Sequence, residues 1–364
     1  MNSKSQIICC FTIIGMSLLL LGGCGEKTAA PKDIVAQELD YLADSTTQSA
    51  RQKALLSEIV PTDEKNEQTD TEISQTFDLF FKDFAYEIGK SEITDDKATV
   101  AVELTTIDAT ALAKDFISQS IVKQIQGSAT PVSVTYSSSD YYHSLYLLLS
   151  SNEYHTATSD CTIRLTKTED SWQIDHGQNL DDKLTGGFVT SVSNPNLFTP
   201  EEIATIYLDT IKAFDKEQLT QFFSLDDLFA ADDEYKRTIS QAITEQVLKY
   251  FDYNIINSQI NGNEATVEAE IISYDANSIT QDLSDQMASY TSTAQALADG
   301  VAGRATKANN ILLDCINNNT ATASTTLTLH LKNDGISWKL NMDEALSQAI
   351  LGNVSEAASN TEEE

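Results

Sequence analysis

Residues 84–116 read FAYEIGKSEITDDKATVAVELTTIDATALAKDF, and residues 251–283 read FDYNIINSQINGNEATVEAEIISYDANSITQDL. The two segments align without a gap. They agree at twelve positions: Phe84/Phe251, Tyr86/Tyr253, Ile88/Ile255, Ser91/Ser258, Ile93/Ile260, Ala98/Ala265, Thr99/Thr266, Val100/Val267, Glu103/Glu270, Asp108/Asp275, Ala109/Ala276 and Asp115/Asp282. Average composition would give roughly 2 identities in a window of this length. The chain therefore carries one unit twice.

Within each segment the pattern is that of a hairpin. Phe84, Tyr86 and Ile88 alternate along a first strand, a polar turn follows at 94–97, and Val100, Val102 and Leu104 alternate on the way back. The second copy replaces the turn by Asn261-Gly262-Asn263 and returns through Val267, Ala269 and Ile271. Asn-Gly between apolar alternations is a strong hairpin signal, because both central residues of the tight turn need positive φ. Asp108 and Asp275 then sit where a short side-chain oxygen can cap the amides of a following helix.

The correspondence extends in both directions. Pro31, Ile34, Leu39 and Asp40 match Pro200, Ile203, Leu208 and Asp209, and Ser171-Trp172 matches Ser337-Trp338, which contain the chain's only tryptophans. Each copy is expected to open with a helix: Pro200 suits the first helical position, Thr199 the N-cap, and Glu201 and Glu202 the positive end of the helix dipole. Ile203, Ile206, Tyr207, Ile211 and Phe214 are expected on one face of it. Further helical pieces are expected at 142–150 and 307–316, and closing strands at 162–168, 172–175, 325–332 and 338–341.

This order predicts an α+β fold of two tandem homologous domains, each a curved antiparallel sheet packed by helices. The layout resembles the cystatin-like and nuclear-transport-factor-2-like architecture, as found in tandem-repeat lipoproteins of the Gram-positive type. The resemblance rests on element order and repeat layout and implies no activity. The expected boundaries are 31–190 for the first domain, 191–197 for a linker, 198–350 for the second domain and 351–364 for an acidic disordered tail.

At the other end of the chain, Lys4 precedes an apolar run from Ile7 to Leu21, followed by Gly22-Gly23-Cys24. A membrane-spanning helix needs about 20 apolar residues, so this run has signal-peptide length. Leucine and two glycines leading into cysteine resemble the lipobox of bacterial lipoproteins. That resemblance implies removal of residues 1–23, diacylglycerol on Cys24 and a location on the outer face of the cell membrane. A first helix at Pro31 leaves 24–30 as a lipidated tether, whose six residues after Cys24 reach at most about 20 Å. The first domain is then expected near the membrane, and any partner-binding role falls to residues 198–350.

The formal charge is −32, and removing Lys4 with the leader makes it −33. Such a chain lacks the basic face that nucleic acid requires. The acidic pairs Asp95-Asp96, Asp181-Asp182, Asp226-Asp227 and Asp232-Asp233 lack the spacing of a calcium loop and read as solvated surface. Cys9 and Cys10 fall in the leader. Cys161 and Cys315 have no cysteine at the matching place in the other copy and are expected as buried free thiols. His143, His155, His176 and His330 form no metal-ligand or triad pattern. No cofactor motif and no serine elbow appears, and Gly186-Gly187 reads as a turn. Trp172 and Trp338 are expected in the core.

The densest cluster of aromatic and titratable groups is Tyr141, Tyr142 and His143, a candidate ligand pocket. The leading functional expectation is a noncatalytic binding or scaffold module with an envelope protein partner. The alternative is capture of a small ligand between sheet and helices. An enzyme using an Asp–His pair is the third.

Overall fold

The computed structural model describes residues 29–43, 67–130, 138–169, 171–225 and 234–354. The leader, Cys24, residues 25–28 and residues 355–364 lie outside the described residues, as do Asp226-Asp227 and Asp232-Asp233. The first copy contains α1 (Pro31–Ala43), α2 (Glu67–Phe80), β1 (Ala85–Thr94), β2 (Lys97–Ile107), α3 (Ala109–Ser128), α4 (Ser138–Ser151), β3 (Thr156–Thr168), β4 (Ser171–Ile174), α5 (Gln178–Leu184) and α6 (Phe188–Ser193). The second contains α7 (Pro200–Lys212), α8 (Lys216–Phe222), α9 (Glu234–Tyr250), β5 (Asp252–Asn261), β6 (Glu264–Tyr274), α10 (Ala276–Thr291), α11 (Ala294–Ala298), α12 (Gly300–Asn318), β7 (Thr322–Asn333), β8 (Trp338–Leu340) and α13 (Glu344–Ile350). The chain divides into two compact units, Met1–Gln119 with Thr135–Leu197, and Ser120–Val134 with Phe198–Glu364.

Each unit holds one four-stranded antiparallel sheet, ordered β1-β2-β3-β4 and β5-β6-β7-β8. On the second strand of each sheet one face is buried. Ala98, Val100, Val102 and Leu104 on β2 are at most 3% exposed, and Ala265, Val267, Ala269 and Ile271 on β6 at most 4%. Trp172 and Trp338 join them in the core, both buried. Full burial of a valine, leucine or isoleucine side chain is worth about 1.5–3 kcal/mol, so this inner face contributes several kcal/mol to each unit.

The edge strands β1 and β5 are irregular at the same place. The ladder shifts register between Ile88 and Ser91 in one copy and between Ile255 and Asn257 in the other. The extra residue of a bulge changes which side chains face the core. Tyr86 and Ile88 lie opposite Leu104 and Val102, and beyond the bulge Ser91 and Ile93 lie opposite Val100 and Ala98. All four therefore share the inner face, although 88 and 91 differ in parity. The second copy repeats this with Tyr253, Ile255, Ser258 and Ile260.

The inner face of the edge strand meets the opening helix through a tyrosine. Tyr86 Oη donates to Asp40 Oδ1 at 2.6 Å, and Tyr253 Oη donates to Asp209 Oδ1 at 2.6 Å. Burial first, and then the neighbouring carboxylate, pushes the Tyr86 phenol up to about 12. Tyr253 is raised by the same causes.

The expected caps form. Thr199 Oγ1 accepts from Glu202 N–H while Glu202 accepts from Thr199 N–H, with Pro200 at the helix start. Asp275 Oδ1 accepts from Asn277 N–H, and Asp108 Oδ1 accepts from Thr110 N–H and Ala111 N–H. The expected face of α7 is met in part: Ile203, Ile211 and, just past the helix, Phe214 are buried and are joined by Ala204 and Leu208, whereas Ile206 and Tyr207 are only half-buried. Leu208 and Ile211 continue the Ile203/Ala204 stripe at helical spacing, and Ile206 lies off it.

Two further boundaries differ from expectation. Strand β3 begins at Thr156 and β7 at Thr322, six and three residues earlier than 162 and 325. The extra residues are mostly exposed. Backbone pairing alone, Ile107 to Thr156 and Tyr274 to Thr322, extends these strands. Leu351 and Gly352, read as the start of the tail, pack into the second unit, where Leu351 is buried. Gly186 and Gly352 both have positive φ, +64° and +68°. A Cβ on Gly186 would stand 2.7 Å from Ile107 O, and one on Gly352 2.5 Å from Tyr274 O.

Two outcomes follow. Tyr86→Phe and Tyr253→Phe are each expected to destabilise the protein by about 1 kcal/mol, a typical net worth of a partly exposed hydrogen bond; unchanged urea midpoints for both would remove the clamp. The folded state holds these phenolic protons more tightly than the unfolded one. The clamp's contribution is therefore complete below the ordinary tyrosine pKa of about 10 and is lost as pH rises toward 12. Gly352→Ala is expected to cost more than about 2 kcal/mol, since it adds both backbone strain and a clash, and a wild-type thermal midpoint would contradict the close approach.

Candidate functional site

Counted from the hairpin, the first four side chains of β6 that point away from the core are Glu264, Thr266, Glu268 and Glu270, with Ile272 next in line. Their cross-strand neighbours on β5 are Asn261, Gln259, Asn257 and Asn254. The outer face of the edge strand is thus a ladder of four amides. On β7 the matching partners are Lys332, His330, Thr328 and Thr326, and β8 adds Lys339 opposite Lys332.

The rows across this face differ in how they are satisfied. In the two rows nearer the helices' end of β6, Asn254 Nδ2 donates to Glu270 Oε2 at 2.9 Å and Asn257 Nδ2 donates to Glu268 Oε2 at 2.5 Å. In the two rows at the hairpin end, Gln259, Asn261, Glu264, Thr266, His330 and Lys332 make no side-chain hydrogen bond to another described residue. These are the residues that line a cavity of about 690 Å³, together with Lys339 and Asn341. Such a volume lies within the range of small-ligand sites, about 300–1,000 Å³.

Lys339 is the exception to this freedom. Its Nζ lies 2.5 Å from Asp334 Oδ2 in the turn between β7 and β8. Burial raises the Asp334 carboxyl, but the Lys339 ammonium and the N–H groups of Ser337 and Ile336 outweigh it, so its pKa lies below the ordinary carboxylate value. The ammonium is held at the rim by this pair.

The first unit does not repeat the arrangement. By register, Glu92, Thr94, Lys97, Thr99, Arg164, Thr166, Gln173 and Asp175 occupy the places of Gln259, Asn261, Glu264, Thr266, His330, Lys332, Lys339 and Asn341. Only the threonine Thr99/Thr266 is shared. Thr166 Oγ1 donates to Asp175 Oδ1 at 2.9 Å, so part of that face is satisfied internally.

Tyr141, Tyr142 and His143 follow one another on α4, and consecutive helical residues point about 100° apart. Tyr141 packs its ring on Phe116, with centroids 6.2 Å apart. Tyr142 enters the core, 1% exposed, and its hydroxyl has no hydrogen-bond partner among the described residues. His143 points outward, with Nδ1 3.4 Å from Glu72 Oε1 on α2. The structure therefore sends the three side chains in different directions. All four histidines are exposed, so none is enclosed with an acid as histidine acid/base chemistry would require. Cys161 and Cys315 are buried free thiols. Burial pushes both above the ordinary thiol value, which makes them poor nucleophiles. Among the described residues no cluster could hold a metal ion, and no helix is long and apolar enough to cross a membrane.

No family model matches the chain, and no curated protein matches it. A crystal structure of a candidate lipoprotein from Bacillus subtilis, ycdA, is similar over 74% of this chain and 94% of that one, at 15% identity and a TM-score of 0.32. A score that low does not establish a common fold.

The amide ladder was visible in the sequence as Asn257-x-Gln259-x-Asn261. On a regular strand these alternate positions would share the inward parity of Tyr253 and Ile255, and the bulge at 255–257 reverses it. For Tyr142 the geometry makes a sharp statement: a buried hydroxyl without a partner costs free energy, so Tyr142→Phe is expected to be neutral or stabilising by up to about 1 kcal/mol. Loss of more than that in chemical denaturation would mean that the hydroxyl is satisfied and has a structural role.

Proposed function

We propose that this chain is a noncatalytic binding lipoprotein of the cell envelope, held by diacylglycerol on Cys24, with its recognition site on the outer face of the second sheet. The observation that carries the binding role is the contrast within that face: two rows satisfied by Asn–Glu pairs, and two rows of unpaired polar side chains around the cavity. Polar side chains left open in a concavity are the groups that orient a ligand. The first unit, whose matching face differs at all but one position, serves as the spacer next to the anchor. The lipobox supports export and anchoring. The four-stranded antiparallel sheet with helices before and within it supports a cystatin-like or nuclear-transport-factor-2-like reading of each unit.

Between an envelope protein partner and a small ligand, the cavity favours the ligand. The test joins both parts of the reading. Cys24→Ala is expected to move the protein from the membrane fraction to the soluble fraction with its circular dichroism unchanged, and unaltered fractionation would refute the anchor. A photo-crosslinking residue at Asn341 in cells is expected to trap a ligand or partner, whereas one at Asp175 in the first unit is not. Equal yields from both, or none from either, would sink the binding site.

A further inference from the structure

We propose that the cavity on the second sheet takes an uncharged, polyhydroxylated ligand, a neutral glycan segment lying across the strands. This rests on the binding role given above and names its ligand class. The lining decides the chemistry by elimination and by match. The charged side chains that line the cavity are Glu264, Lys332 and Lys339, and Lys339 is already paired with Asp334 in the adjoining turn, outside the lining; with that partner counted, the formal charges sum to zero. The opposed Glu264 and Lys332 are cross-strand neighbours. An anionic ligand therefore meets no excess positive charge, and it approaches a chain of formal charge −32.

An apolar ligand is disfavoured by the same face. Ala265, Leu331 and Leu340 touch the cavity from inward-facing strand positions where their side chains are buried in the core, so the outward side chains are all polar. Beside the charged Glu264, Lys332 and Lys339, the lining is made of amides, a hydroxyl and an imidazole. Gln259, Asn261 and Asn341 each offer both a donor and an acceptor, Thr266 a hydroxyl, and His330 one of each in its neutral form. A sugar hydroxyl is likewise donor and acceptor at once, so a row of hydroxyls satisfies such a row of amides without leaving a charge unpaired. The side chains stand on adjacent strands about 4.8 Å apart, which presents them as a regular series across the sheet.

The experiment is an array of neutral and acidic oligosaccharides probed with the full chain in detergent, with the combined fluorescence of Trp172 and Trp338 as the check that each variant is folded. Neutral oligosaccharides are expected to retain the protein. Gln259→Ala and Asn341→Ala should each weaken retention about tenfold, as loss of a bidentate amide contact would, while Thr94→Ala in the first unit leaves it unchanged. A blank array, retention confined to acidic glycans and fading with added salt, or neutral retention indifferent to Gln259→Ala and Asn341→Ala would each overturn the assignment. A blank array with a specific crosslink at position 341 rejects the glycan and keeps the binding site. A blank array without a crosslink rejects both.

Discussion

In both units a phenol on the edge strand donates to a carboxylate on the opening helix, Tyr86 to Asp40 and Tyr253 to Asp209, at the same distance of 2.6 Å. The bond is modest, about 1 kcal/mol, against several kcal/mol from the aliphatic side chains beneath it. Its importance is directional. Burial of Val100 or Val267 is indifferent to a one-residue slip of the edge strand, since the strand contributes little apolar area there, with Ile93 and Ile260 well exposed. A tyrosine that must reach one carboxylate is not indifferent. Together with the bulge it fixes which face of β1 and β5 looks inward, and so it fixes what looks outward.

That constraint separates stability from recognition. Of the twelve identities in the repeated segment, Tyr86, Ile88, Ser91, Ile93, Ala98 and Val100 lie on the inner face, and only Thr99 and Glu103 face outward on the strands. A strand's two faces alternate with a period of two. The outer set can therefore change completely while the inner set holds the fold. The first copy uses the outer set for charges and a Thr166–Asp175 bond; the second uses it for amides. Divergence has also reached the helix contact: Ser258 donates to Glu201, while Ser91, whose matching helix residue is Lys32, has a buried hydroxyl without a partner among the described residues.

The hairpins, their turns, the helix caps and the buried tryptophans were legible because each leaves a local signal: alternation, Asn-Gly, Thr-Pro-Glu-Glu, or a repeated Trp. The early starts of β3 and β7 were not, because Thr156–Asp160 and Thr322–Ser324 are held by backbone pairing and carry no buried alternation. Of the proposed site, the region 198–350 and the alternating amides Asn257, Gln259 and Asn261 are present in the sequence, but their outward direction depends on the bulge. The Tyr141–His143 cluster is dense in composition alone, and on a helix three consecutive residues diverge. The bulge had a signal in hindsight. The identical pairs Ile88/Ile255 and Ser91/Ser258 are three residues apart, an odd spacing that two inward positions on a regular strand cannot have.

On the proposed binding role, the acidity of the chain bears on how the second face would work. Glu268 and Glu270 are balanced by amide donors from Asn257 and Asn254, which satisfy the carboxylate oxygens without cancelling their charge. The surroundings of the cavity stay negative, while its lining charges Glu264, Lys332 and Lys339 are balanced once the Asp334 partner of Lys339 is counted. Long-range attraction therefore contributes nothing to capturing a ligand there, and anions are held off at distances comparable to the Debye length, about 8 Å at physiological ionic strength. Affinity has to come from short, directional hydrogen bonds made after contact. The proposed interface would then select by the pattern of donors and acceptors, bind without strong salt dependence, and discriminate against charged competitors through the rest of the molecule.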